Sequence, residues 1–261
     1  MVRAGSSAKR LTLKERRQRE LLIKGLLAFI LLASVLAALA VGTRMRQFDI
    51  VNVAVEGTTL IPVADVQAVA QQKLAGTYAL IVPKNFTYLA PLGAIQSELV
   101  KKYPNIKSVS ITRTSGTTIA IHIAERTPAA LWCAGALCYD MDEQGYVYKS
   151  DTGSALRRYT GAIDGNPIGR TFMSGAFPDF VRTLSDIEAS TKHTVVAAAV
   201  KSSDVTLTLS DGGELRLTIP TSDAVIASIA TVFASTAFAQ GGSLEYADFR
   251  YGAKALVKFR K

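Results

Sequence analysis

The chain has 261 residues, 49% of them apolar, and carries 30 Lys/Arg against 21 Asp/Glu for a formal net charge of +9. Such a composition belongs to a folded protein of one large or two small domains. The charge is uneven: residues 1–43 hold eight Lys/Arg against Glu15 and Glu20, while residues 44–261 hold 22 basic and 19 acidic groups, so a basic tail precedes a near-neutral body and no nucleic-acid partner is implied.

Residues 1–24 form the basic tail. Residues 25–43, GLLAFILLASVLAALAVGT, contain no charge. As a helix they cover roughly 28 Å, close to the hydrocarbon thickness of a bilayer. The expectation is a single transmembrane helix with a cytoplasmic N-terminus and the remainder extracytoplasmic, because the basic residues precede the span. A cleaved signal peptide is the alternative, since Ala38-Leu39-Ala40 resembles a cleavage site. The long charged segment and the long apolar run favour an uncleaved anchor.

FDIVNVAVEG predicts a strand through Ile50, Val51, Val53 and Val55, ended by Gly57. Pro62 opens a helix with Val63, Val66, Val69, Ala70 and Leu74 at helical spacing, closed by Gly76. Residues 80–82 read as a short extended piece. A second helix follows Pro91, with Leu92, Ile95, Leu99 and Val100 facing inward and Lys101 and Lys102 at its C-terminal end. Pro104 stops it. Two strands then alternate, one through Ile106, Val109 and Ile111, the other with Ile119, Ile121 and Ile123 on one face. They turn at Thr114-Ser115-Gly116-Thr117. The order β-α-α-β-β predicts a compact three-stranded sheet with two helices on one face.

Strand signals dominate from residue 131. LCYDMDEQGYVYK predicts a hairpin, FPDFVRTLSDIEAST (177–191) a helix, VTLTLSDGGELRLTIP (205–220) a hairpin, SDAVIASIATVFASTAF (222–238) a helix, and LEYADFRYGAKALVKFRK one or two closing strands. Cys133 and Cys138 are separated by a Gly-containing tetrapeptide, so a disulfide across a hairpin is expected in an oxidising compartment. Two reduced core cysteines or half a metal site are the alternatives, and no second pair or nearby histidine completes a zinc site.

V-x-V-x-G, two helices, P-x-I-x-x-V-x-I and T-I-x-I-x-I-x-E-R-x-P-x-A together resemble the POTRA (polypeptide-transport-associated) domain. Ala130-Leu131-Trp132, Tyr139-Asp140 and Gly145-Tyr146-Val147-Tyr148 resemble the start of the β domain of the bacterial cell-division FtsQ/DivIB family. The resemblance covers nearly the whole chain. It implies an α+β protein: tail 1–24, transmembrane helix 25–43, POTRA domain 48–127, and a mostly antiparallel β domain with two helices over 128–261. The family's last strand follows a D-x-R-Y motif and pairs with a small single-span partner. Here that motif is Asp248-Phe249-Arg250-Tyr251. The partner-binding set that the resemblance implies is Arg250, Tyr251, Ala253, Val257 and Phe259. Phe259 stands where the best-known members have Trp, and Ala253 stands where they have Ser, which removes a side-chain hydrogen bond and leaves backbone pairing untouched. The alternative is that Tyr251 and Phe259 are packed residues of a terminal strand.

Other candidates point away from catalysis. His122 alternates with isoleucines on a strand, and His193 follows a helix end. Neither belongs to a nucleophile motif. Glu125, Arg126 and Pro128 read as a domain junction, with Glu125 and Arg126 as an ion pair. Asp140-x-Asp142-x-Gln144-Gly145 with Asp151 resembles a calcium loop, but Gln144 replaces a usual ligand, the last ligand is Asp rather than Glu, and strands flank it, so a hairpin turn is the better reading. The expectation is a non-enzymatic, membrane-anchored division scaffold without cofactors. By resemblance its partners are FtsB/DivIC-like and FtsL-like coiled-coil proteins and, through them, septal peptidoglycan synthases. A POTRA-type transport module is the alternative.

Overall fold

The structure is a computed structural model that describes residues 13–42, 46–79, 82–236, 243–251 and 254–260. It is α+β, and its chain forms two compact units, one of residues 1–99 with 109–123 and the other of residues 100–108 with 124–261.

Helix α1 spans Leu13–Gly42. The expected transmembrane helix over 25–43 is corrected here: among the described residues no helix is long and apolar enough to cross a membrane. The helix begins well before the apolar run, so Arg17, Arg19, Glu20 and Lys24 share it. The single-pass topology drawn from that span falls with it. Thr43 and residues 1–12 of the basic tail lie outside the described residues.

The first unit contains β1 (Asn52–Glu56), α2 (Val63–Leu74), a short pair β2 (Thr77–Tyr78) and β3 (Val82–Pro83), and most of α3 (Leu92–Lys102), β4 (Ile106–Arg113) and β5 (Thr118–Glu125). The sheet order is β1-β5-β4. β1 lies parallel to β5, with Val53 opposite Ile119 and Val55 opposite Ile121. Parallel neighbours need a crossover, which α2 and α3 supply. α2 buries Val66, Val69, Ala70 and Leu74 of its expected stripe, while Val63 in its first turn is exposed, and α3 buries Ile95 and Leu99. Val100, expected to face inward, is exposed because one residue past Leu99 turns about 100° off that stripe. Gly57 has φ +83°, and a Cβ there would stand 2.1 Å from the Ile123 carbonyl oxygen, so the end of β1 requires glycine. Of the extended piece expected at 80–82, Val82 opens β3, and Leu80 and Ile81 lie outside the described residues.

The second unit contains β6 (Ala130–Ala134), β7 (Leu137–Met141), β8 (Val147–Ser150), β9 (Arg158–Thr160), α4 (Phe177–Thr191), β10 (Val195–Lys201), β11 (Asp204–Leu209), β12 (Glu214–Thr218), α5 (Asp223–Phe233), β13 (Leu244–Tyr251) and β14 (Lys254–Phe259). These strands make one sheet in the order β14-β13-β12-β11-β10-β9-β6-β7-β8. It is mixed: five pairings run antiparallel, and β12/β13, β9/β10 and β6/β9 run parallel. The reason lies in the connections. α4 joins β9 to β10 and α5 joins β12 to β13, and a helical crossover between neighbours makes them parallel, whereas the short connections after β6, β7, β10 and β11 make hairpins. The core gathers Trp132, Tyr159 and Phe172 with Phe177, Phe180, Leu184 and Ile187 of α4, Ile229 of α5, and Leu207, Leu215 and Phe249 of the strands. α5 ends at Phe233, short of the expected 238, and residues 237–242 lie outside the described residues.

Candidate functional site

The sheet of the second unit ends at β14, which pairs with β13 on one side and has no strand on the other among the described residues. An unpaired strand presents a row of backbone donors and acceptors, and a partner strand can take them up. Leu244 lies opposite Phe259, Tyr246 opposite Lys258, Ala247 opposite Val257, Asp248 opposite Leu256 and Tyr251 opposite Lys254. Tyr251 is 63% exposed and Leu256 56% exposed. Val257 is also exposed, while Phe259 is half-buried. Leu256 and Val257 are adjacent in a strand, so both faces of the edge carry an apolar side chain in water. Ala253, placed in the binding set by the resemblance, lies outside the described residues.

Cations dominate this edge. Lys258 Nζ bonds Glu245 Oε1 at 2.7 Å, and Lys254 is exposed. Arg260 Nη2 donates to the Gly212 carbonyl at 2.5 Å, which ties the end of the strand to the β11–β12 turn. Arg216 stacks over the Tyr246 ring at 4.5 Å and bonds Glu214 at 2.8 Å.

Arg250, in the same D-x-R-Y motif as Tyr251, is committed within the unit. Its Nε donates to Asp248 Oδ1 at 3.0 Å and its Nη2 to Asp248 Oδ2 at 2.7 Å. Nη1 reaches Asp204 Oδ2 at 2.7 Å. The guanidinium hydrogen bonds hold the Asp248 carboxyl below the usual carboxylate range against the opposing effect of burial, and the bonds to Asp248 and then Asp204 push Arg250 above its ordinary value. Nothing in the sequence singles out Asp204, which stands 46 residues away.

At the head of the second unit, Arg126 donates from Nη1 to the buried Asp142 Oδ2 and from Nε to the Pro104 carbonyl at 3.2 Å, and it covers the Tyr146 ring at 3.9 Å. The structure brings the Asp142 carboxylate to Arg126, and Glu125 is half-buried at the end of β5. Pro128 is exposed between β5 and β6. Asp142 Oδ1 accepts from the Gln144 and Tyr146 amides at 2.9 Å each, so the Asp142–Gly145 stretch is a hairpin turn closed by its own carboxylate. Gly145 has φ +80° there. Among the described residues no group of three His, Cys, Asp or Glu is placed to hold a metal. Cys133 and Cys138 face one another across β6 and β7 with their sulfurs bonded.

The histidines take surface partners. His122 Nδ1 lies 3.1 Å from Glu56, with half its side chain in solvent. His193 Nδ1 lies 3.5 Å from Asp211, with its ring 5.4 Å from that of Phe233. The strand edge at β14, with its exposed apolar and basic side chains, is one arrangement among the described residues that offers a recognisable interaction. No family model matches the chain, and no curated protein matches it.

Proposed function

We propose that this chain is a non-enzymatic binding scaffold of the bacterial division machinery, of the FtsQ/DivIB type, that takes up a strand of a partner protein along β14. One observation carries the reading: β14 ends the sheet, with no strand on its outer side among the described residues, and it presents Leu256 and Val257 to solvent near Tyr251. Soluble proteins normally blunt such an edge, and lysines are a common means. Here Lys254 and Lys258 discourage pairing with a second β14, because like charges would meet, and leave the edge to a different chain. Main-chain bonds would supply affinity, and Tyr251, Val257 and Phe259 would supply selectivity. The resemblance in the D-x-R-Y motif supports partners of the FtsB/DivIC-like and FtsL-like coiled-coil classes and, through them, septal peptidoglycan synthesis.

The test is a calorimetric titration of the full chain with the purified FtsB- or DivIC-type protein of the same cells. Tyr251→Ala and Phe259→Ala should each weaken binding by about tenfold or more, as truncation of an aromatic anchor does, with unchanged thermal unfolding. Unaltered affinity in both variants, or no binding by the parent chain, would remove the assignment.

A further inference from the structure

The position of Arg250 carries an inference that rests on the reading of β14 as a binding edge. Two backbone ladders fail at this point of β13. On the β12 side, the pairing ends at Arg216 opposite Asp248. On the β14 side, the register shifts between Asp248 and Tyr251: Asp248 faces Leu256 and Tyr251 faces Lys254, so three steps of β13 cover two of β14. This is a bulge, and bulges re-aim the side chains beside them. The exposed Tyr251 stands beside it.

The Arg250 side chain spans the gap left by the backbone. One edge of its guanidinium is held by Asp248, which is buried, and the Arg250 amide also donates to Asp248 Oδ1 at 3.1 Å. The other end crosses β12 to reach Asp204 at the start of β11. We infer that Arg250 and Asp204 are positioning residues of the binding edge: the staple fixes the bulge and thereby the placement of Tyr251 and the course of β14. Asp204 lies three strands from β14, so a strand added outside β14 would pass roughly 19 Å away at about 4.8 Å per strand. Asp204 would therefore influence partner binding without touching an added strand. Its side chain is 49% exposed and that of Arg250 29%. Exposed pairs add little to global stability, so an effect on the edge can be separated from an effect on folding.

The experiment uses the full chain with Asp204→Asn and Asp204→Glu. Amide hydrogen exchange is followed in Lys254–Phe259 and, as an internal reference, in β10 and β11. Affinity for the FtsB- or DivIC-type protein is measured on the same samples. In Asp204→Asn, exchange in β14 should quicken about threefold, the scale of one partly exposed ion pair, with β10 unchanged and affinity lower by a similar factor. Asp204→Glu should restore both. Unchanged exchange in β14, or equal quickening in β10 and β11, would overturn the positioning role. A parent chain that fails to bind the partner would overturn the functional reading instead, and the exchange data would still decide the staple.

Discussion

Arg126 covers the Tyr146 ring at 3.9 Å while its guanidinium meets the buried carboxylate of Asp142, so one side chain ties the strand that enters the second unit to the β7–β8 turn. Only 15% of the Arg126 side chain and 1% of the Asp142 side chain reach solvent. Removing one partner from a buried pair leaves the other charge unpaired, which costs roughly 3–5 kcal/mol. Arg126→Ala should lower the urea midpoint of the second unit accordingly. Arg126→Lys should recover only part of the loss, because an ammonium keeps the charge and loses the planar stacking. An Arg126→Ala midpoint equal to that of the parent would contradict this role.

Tyr148 behaves in the opposite way. It is 2% exposed, and its hydroxyl has no hydrogen-bond partner among the described residues. Burial first, and then the Asp140 and Asp142 carboxylates, push its ionisation above the ordinary tyrosine value. Tyr148→Phe removes a buried, unsatisfied hydroxyl and keeps the ring. Stability should stay level or rise by about 1 kcal/mol. A clear loss in thermal unfolding would show that the hydroxyl has a partner that matters.

Acid should loosen the terminal strands. Asp248 titrates below its unfolded value because Arg250 donates to it. A depressed carboxylate pKa stabilises the fold fully above the unfolded value, about pH 4, and that contribution is lost as the pH falls through the lower folded value. Asp248→Asn cannot titrate, so between pH 5 and pH 2.5 it should lose less stability than the parent chain. Parallel acid limbs in urea titrations of the two would refute the assignment.

Much of this architecture is legible in local sequence. Gly57, Pro62, Pro104 and the isoleucine alternation in residues 119–123 bound the elements of the first unit because each acts through backbone geometry or side-chain period. Val100 is exposed beside a buried stripe, and one apolar residue next to a stripe has no pattern that sets it apart. The apolar run 25–43 marks a helix but not where that helix begins, and the upstream start at Leu13 brings charges into it. The mixed sheet follows from each helix lying between two strands, which the apparent run of hairpins concealed. The partners least visible in sequence are Asp142 for Arg126 and Asp204 for Arg250, since ion pairs across a sheet leave no spacing rule. Likewise the β14 edge was anticipated through the D-x-R-Y resemblance, whereas the internal commitment of Arg250 emerges only from the folded register.

The most direct measurement is photo-crosslinking in dividing cells of the source, with a photoreactive residue placed at Val257 on the edge or at Val196, an exposed valine inside the same sheet. Strand addition at β14 predicts a crosslink from Val257 to a small coiled-coil division protein and none from Val196. No adduct at Val257, or the same adduct from both positions, would contradict it.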